Sequence, residues 1–337
     1  MQKPIARKHL SPLNIFYFCL GLGLLYWLLK DTDLAQLFQL IANIKKEYLI
    51  LGGVIYFLKG LMRSVRLARS NKNAKPGILS MLRLTLASSL ASQLLPFKLG
   101  ELSYVYLVKK EFKRSVSQGL SSLMIVRIFD LLAISLLFVL TSLVLGIPTD
   151  LSIYFFYILG FICLLLLLLF VLLLTARNHE VVLNLLDRLT GIIKLPLVAR
   201  IQHALKELFV ELAAYSMKDY GEFIIYALIE WSINYAMYHL ILIGMNLSPQ
   251  FFDTVVGVTF AALASVLPVN SFGNFGTQEA GWATGLLFLG YSQQTAIASG
   301  FATHLLSLAY MLVLGGAAWI SYAFNVRFSS RAIEETT

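Results

Sequence analysis

Charge is scarce in this chain: only 13% of its 337 residues are Asp, Glu, Lys or Arg, against 58% hydrophobic. Several apolar runs exceed the roughly 20 residues that span a bilayer, so the composition excludes a soluble domain and indicates a polytopic membrane protein. Cysteine is nearly missing. Cys19 and Cys163 both fall inside apolar runs without metal-ligand spacing, which leaves them as packing residues. The chain has no phosphate-binding glycine loop ending in lysine, no His/Cys metal spacing and no nucleophile elbow. These absences weigh against the common soluble enzyme classes, although a membrane enzyme needs none of the motifs. A cleavable signal is not evident either, because the first apolar run lacks a small-residue cleavage site and leads into further membrane segments.

What charge there is falls unevenly. Lys3, Arg7 and Lys8 precede an apolar run over residues 13–29, which places the N-terminus in the cytoplasm by the positive-inside rule. Residues 31–47 carry Leu34, Leu37, Phe38 and Ile41 at helical spacing, as an interfacial or connecting helix would. Residues 48–67 return, with Lys59, Arg63 and Arg66 on one helical face. The last two lie near enough to the helix end to snorkel, which leaves Lys59 the deepest of the three. Residues 116–145 and 153–175 cross next. The extended polar region 177–218 then reads as a cytoplasmic connector of two or three amphipathic helices broken near Pro196. Residues 222–244 and 294–322 complete six crossings, and Arg327 and Arg331 leave the C-terminus in the cytoplasm.

Two stretches do not fit spanning helices. Residues 264–279, ASVLPVNSFGNFGTQE, set Pro268, Gly273 and Gly276 in the middle of apolar sequence. Proline removes a backbone donor and glycine costs about 1 kcal/mol in a helix interior, so helical geometry must stop there. Residues 91–101, ASQLLPFKLGE, break in the same way at Pro96 and Gly100. Lys109 follows so soon that the intervening helix rises only about 15 Å, half a bilayer, yet Lys109, Lys110, Lys113 and Arg114 belong on the cytoplasmic side. Residues 78–110 therefore read as a re-entrant hairpin entering from the cytoplasm, and 251–289 as one entering from outside. With this layout twenty of the 27 Lys and Arg lie on the cytoplasmic side, three (Lys30, Lys45, Lys46) outside and four (Lys59, Arg83, Lys98, Arg127) at depth. The net charge of +9 is thus a topology signal, and nucleic acid is not an expected partner. The expected fold is all-α: one integral membrane domain over 1–337, about six full transmembrane helices and two oppositely oriented re-entrant helical hairpins.

Paired broken hairpins of opposite sense are the mark of inverted repeats with a substrate site between them. Irregular backbone at membrane depth must be buried in protein or line a watery cavity, and helix N-termini there favour an anionic group such as phosphate. Charged residues at the bilayer centre cost roughly 2.5 to 3.5 kcal/mol each, so Glu101, Arg127, Asp130, Glu230 and Glu279 need partners or a purpose. Arg127 and Asp130 are spaced to pair on one helix, or to clamp Glu101 or a ligand. Glu101 and Glu279 each follow a glycine break, where a carboxylate either caps free N–H groups or coordinates a cationic headgroup, sugar hydroxyls or a proton. The two acids are expected to face one cavity near the midplane. Lys98, Asn270 and Asn274 supply donors in the same loops. Glu230, Asn234 and His239 form a polar stripe on one helix, and His304 lies on the last; packing is their safer role, with titration of a histidine the alternative.

Two regions carry a resemblance. LPFKLGELSYVYLVKK followed by VRIFDLL, and later LPVNSFGNFGTQEAGWATGLLFLGYSQQTAIASGFATHLL, are similar to the hallmark regions of the lysylphosphatidylglycerol synthase transmembrane (flippase-like) family. The likeness covers nearly the whole chain. Carried over position by position, it implies substrate-binding roles for Pro96, Gly100 and Glu101, for Arg127 and Asp130, and for Pro268, Gly273, Gly276 and Glu279. The chain departs from the pattern at Asn274 and Phe275, and at Lys98 where the family often has arginine. The soluble aminoacyl-transferring domain of bifunctional members has no counterpart in this sequence, so lysyl transfer is not expected. The resemblance implies a lipid flippase or transporter in a prokaryotic plasma (inner) membrane, moving a phospholipid or lipid-linked sugar headgroup. Membrane lipids are the expected partners, with lipid-modifying or glycosyltransferase enzymes as further ones; no cofactor or metal is expected. Two alternatives stay open: a membrane-embedded glycosyl or acyl transferase or its accessory subunit, and a non-transporting scaffold.

Overall fold

Long apolar sequence with few breakers forms helix, and among the described residues every regular element is helical. The structure, a computed structural model, describes residues 19, 23–30, 34–71, 74–95, 99–145, 160, 162–164, 167, 206–266 and 272–334. The helices are α1 (Leu34–Ala42), α2 (Lys46–Ser70), α3 (Ile78–Leu94), α4 (Leu99–Phe112), α5 (Val116–Leu145), α6 (Met217–Gly244), α7 (Phe251–Ala264), α8 (Thr277–Phe288) and α9 (Gln293–Glu334). Residues 23–29 and 206–213 are also helical. Among the described residues three helices are long and apolar enough to cross a membrane: Lys46–Ser70, Val116–Val144 and Gln293–Tyr322. They coincide with three of the six expected crossings. The crossing expected at 222–244 lies within α6, which is as long but carries Glu230, Asn234 and His239 along its apolar sequence. The crossings at 13–29 and 153–175 and the connector residues 177–205 lie largely outside the described residues, as do Pro96, Lys98, Pro268 and Asn270.

Helix starts follow from capping. Ser216 accepts from the Asp219 backbone N–H while the Asp219 carboxylate accepts from the Ser216 N–H at 2.8 Å, a reciprocal box that opens α6. Asp253 accepts the Gln250 N–H in the same way at the start of α7. From α6 to the antiparallel α2 the contact runs the full helix length, Gly244 lying against Tyr48 at one end and Glu222 reaching Arg69 near the other. Outward-facing Ile50, Val54 and Phe57 on α2, Leu143 and Val144 on α5, and Val313 and Ile320 on α9 are exposed. Such an apolar exterior suits lipid contact, not water.

Both broken stretches form helical hairpins. In the second, α7 and α8 run antiparallel at close range because glycines face backbone: a Cβ on Gly281 would meet Phe260 O, Ala264 Cβ at 2.7 Å and Ala261 Cα at 2.9 Å. Gly285 lies against Gly257 in the same manner. In the first, α3 packs on α4, and Gly100 lies against the Ala91 and Ser92 backbone with no room for a side chain. At 14 and 12 residues, α7 and α8 are about 21 and 18 Å long, well short of the roughly 30 Å hydrocarbon core.

The long helix α9 shows how the hairpins relate. Its early residues Ser299 and Gly300 meet Trp282 of α8, and His304 meets Glu279 at the start of α8. Further along, Gly315 lies against Leu86 and Leu90 of α3, Trp319 Nε1 donates to Ala87 O, and the Arg83 guanidinium lies over the Tyr322 ring. The hairpins therefore approach along α9 from opposite ends and meet tip to tip at His304. That residue is about 16 Å from one end of the apolar span Gln293–Tyr322 and about 27 Å from the other.

Candidate functional site

At the meeting point one amide joins both tips. The Gln93 Nε2 donates to Gly273 O and to His304 Nε2, each at 2.8 Å, and its Oε1 accepts from Asn274 Nδ2 at 2.8 Å. An amide nitrogen only donates, so His304 Nε2 is the acceptor and the imidazole proton sits on Nδ1, directed at Glu279 Oε1. The other carboxylate oxygen of Glu279 accepts the Gly276 N–H at 2.7 Å. Glu279, with 0% exposure, is thus at once an N-terminal cap of α8 and the partner of a buried histidine. The backbone requires glycine here: Gly273 (φ 71) and Gly276 (φ 95) are left-handed, with Asn274 (φ 58) between them. Phe275 stacks near Phe301 and tilts against His304, closing the junction with apolar surface.

A second polar centre ties α2, α5 and α6. Arg66, fully buried, donates from Nη1 to Asp130 Oδ1 at 2.6 Å and to Glu230 Oε2 at 2.5 Å, and from Nη2 to Val126 O at 3.0 Å. Trp231 Nε1 donates to the same Asp130 oxygen, and Arg63 stands 3.6 Å from the other Glu230 oxygen. The expected snorkelling of Arg66 is therefore corrected. Two acids on neighbouring helices hold its guanidinium inside, and a planar fork suits two carboxylates better than a free end suits lipid. The local Arg127–Asp130 pair does not form either. Arg127 Nη2 donates instead to Glu101 Oε1 at 2.8 Å across α4 and α5, a pair that is half exposed on the Arg127 side.

Glu101 and Glu279 consequently have separate partners, Arg127 and His304, and the expectation of one shared cavity is not met. Glu101 follows its break onto α4, which packs on α5, whereas Glu279 follows its break onto α8, which packs on α9. What the breaks share is Gln93. His239, on the polar stripe of α6, hydrogen-bonds Thr254 Oγ1 at 3.0 Å and meets the Phe251 ring edge-on, away from the junction.

Two cavities flank the junction. One, of about 140 Å³, is bounded by α6, α7, α8 and α9 and includes Asn234, Gln278, Trp231 and Trp282. The other, of about 90 Å³, lies between α2, α3 and α9 and includes Arg63, Thr85 and Ser89. Lys59 lines both. The second hairpin thus borders the larger cavity and the first hairpin the smaller, with one lysine between. Among the described residues no group of three or more His, Cys, Asp or Glu side chains converges as a metal site requires.

Sequence reasoning singled out Lys59, Glu230, Asn234 and His304, but missed Arg66, Gln93 and Gln278 as members of these centres. Asp130 and Glu230, two acids in apolar sequence with a cation, Arg127, offered for only the first, were the signal for Arg66. A lone glutamine in ASQLLP was the signal for Gln93. No curated protein matches the chain, and no solved structure does. A family model does match, over residues 14–316, and its description is lysylphosphatidylglycerol synthase TM region. With an all-helical architecture among the described residues, apolar membrane-length helices and that match over nearly its whole length, the chain belongs to the lysylphosphatidylglycerol synthase TM region family, membrane proteins of lipid metabolism.

Proposed function

We propose that the protein carries the polar headgroup of a phospholipid or lipid-linked sugar across the membrane, the acyl chains staying in lipid. The hairpins act as re-entrant elements entering from opposite faces. The observation that carries this reading is the tip-to-tip meeting at Gln93, with one cavity bordered by the second hairpin, another by the first, and Lys59 lining both. Short helices whose ends meet inside a bundle, with cavities beside them, are the arrangement that alternating access uses in inverted-repeat transporters. In this reading the closed junction is the occluded state. Parting Gln93 from Gly273 and Asn274 on one side, then the other, would open each cavity in turn. Of the residues the resemblance assigns to substrate, Gly273, Asn274, Gly276 and Glu279 act in this reading at the junction, Glu279 through His304, and Glu101 with Arg127 at the more exposed pair on α4 and α5, whereas Asp130 is held by Arg66.

The test is reconstitution in liposomes with fluorescent phospholipids and polyprenyl-linked sugars, following movement between leaflets by dithionite quenching. The wild type is expected to move at least one of them. Gln93→Leu and Glu279→Gln are expected to abolish movement while the protein still elutes as a folded species. No movement across the whole panel, or full movement in both variants, would overturn the reading.

A further inference from the structure

We infer that the Glu279–His304 pair is a proton-binding site, which holds one proton while the hairpin junction is closed and takes a second only as it opens, so that opening is coupled to proton uptake; the use of this coupling in transport rests on the reading above, the proton count does not. The count starts from a backbone carbonyl. Gly273 O only accepts, so the Gln93 atom 2.8 Å from it is the amide nitrogen, and that nitrogen presents its other N–H to His304 Nε2 at 2.8 Å. Turning the amide over would set Gln93 Oε1 against Gly273 O and Nε2 against Asn274 Nδ2, losing both bonds between the tips. His304 Nε2 therefore carries no proton in the closed junction.

The line from His304 Nδ1 to Glu279 Oε1 takes a single proton, on one atom or the other. Glu279 Oε2 accepts the Gly276 N–H at 2.7 Å and has no further partner among the described residues. A second proton thus has two places. On Nε2 it faces the Gln93 N–H, donor against donor. On Oε2 it is a buried O–H without an acceptor, at a carboxylate that the N-terminus of α8 favours as an anion. Parting Gln93 from the ring frees the Nε2 lone pair to take a proton from water, and the imidazolium then neutralises the carboxylate beside it. Water has a way in. Gln278 and Thr303, each one residue before a member of the pair, line the cavity of about 140 Å³, well above the roughly 10 to 15 Å³ that one water needs.

The surroundings leave the proton to this pair. Among the described residues Glu279 is the carboxylate within ion-pair distance of His304. From α6 the Tyr238 hydroxyl bonds Ser307 Oγ at 3.3 Å and the Gln278 side chain, and Glu230 is held by Arg66. From α2 Tyr56 packs on Tyr310, and Lys59 lines the cavity without bonding the ring or the carboxylate. The sequence of α1 has no ionisable residue, and α3 and the turn 272–274 present the amides Gln93 and Asn274.

The experiment is hydrogen–deuterium exchange of the full chain in neutral detergent from about pH 5 to about pH 8, read by mass over residues 272–280 and corrected for the chemical pH dependence of amide exchange. The closed junction binds one proton fewer than the open one. Protection of the tip is therefore expected to be greatest at the high end and to fall as pH falls, by up to about tenfold per pH unit for one linked proton. His304→Gln, whose amide oxygen accepts in place of Nε2 and takes no proton, is expected to flatten the profile. His239→Gln is expected to keep it, because that ring bonds Thr254 away from the junction. Wild-type protection that does not change with pH would overturn the inference and needs no variant to fold; a profile that survives His304→Gln, or one that His239→Gln flattens, would overturn it too. Protection that varies with pH in a protein that moves no lipid in liposomes would sink the transport reading alone, and lipid movement with a pH-independent junction would sink this site alone.

Discussion

At the scale of single residues, the largest consequences follow from burial, not from charge as such. Arg66 and Glu101–Arg127 are both ion pairs drawn from the same scarce supply of charge, yet they differ in environment. The Arg66 side chain is 1% exposed and bridges two acids, whereas Arg127 is 49% exposed. Removing one partner of a buried pair leaves the other uncompensated, which costs about 3 to 5 kcal/mol. Arg66→Met is therefore expected to destabilise the protein by at least that amount, read as a fall in the denaturation midpoint in detergent. Glu101→Gln is expected to change stability by less than about 1 kcal/mol, the ordinary scale of solvated pairs, while lowering headgroup movement. A large stability loss in Glu101→Gln would place the acid in the fold and not on the path. The acids themselves were legible in the sequence as expensive groups needing a reason. Their partners were not, because Arg66 is 64 positions from Asp130 and 164 from Glu230, and no local spacing encodes such pairs.

At the scale of elements, the two hairpins depend on glycine in two different ways. Gly273 and Gly276 are needed for positive φ in the turn, whereas Gly281 and Gly285 are needed because the partner helix backbone touches them. A methyl added at Gly281 pushes on the backbone of α7, so Gly281→Ala is expected to cost about 1 to 3 kcal/mol. Gly221, on α6, has nothing within 4 Å of the added atom, and Gly221→Ala is expected to be neutral or to stabilise by up to about 1 kcal/mol through helix propensity. Parallel thermal melts of the two variants decide the matter; equal shifts would mean that the close α7–α8 approach does not limit stability. The breaks in these hairpins were readable from Pro and Gly alone. The close faces were not, since glycines inside a helix look alike in sequence whether they meet backbone or open space.

At the scale of the molecule, the tip-to-tip junction is where opposite halves meet, and it should behave as a gate. Replacing Cys19 and Cys163, both exposed, and introducing Gln93→Cys with Asn274→Cys places thiols on the two tips. A short, reducible bifunctional thiol reagent is expected to link the tips and stop headgroup movement, and reduction is expected to restore it. Movement that continues in the fully linked protein, as judged by mass, would mean the tips need not part.

By itself the sequence determined that the chain is helical, that it has membrane-length apolar segments, and that two stretches cannot continue as helix. Those are properties of local composition: apolar run length, missing backbone donors at proline and conformational cost at glycine. It also identified the chemically expensive residues, because a charge in apolar sequence is visible wherever it falls. Tertiary structure alone decided what those residues do with one another. Gln93 joins both breaks, His304 lies between Glu279 and Gln93, Arg66 takes Asp130 and Glu230, and Lys59 stands between two cavities. The physical reason is that hydrogen bonds and ion pairs are made over 2.5 to 3.6 Å in space, and the order of residues along α9 brings to one point segments more than 200 positions apart.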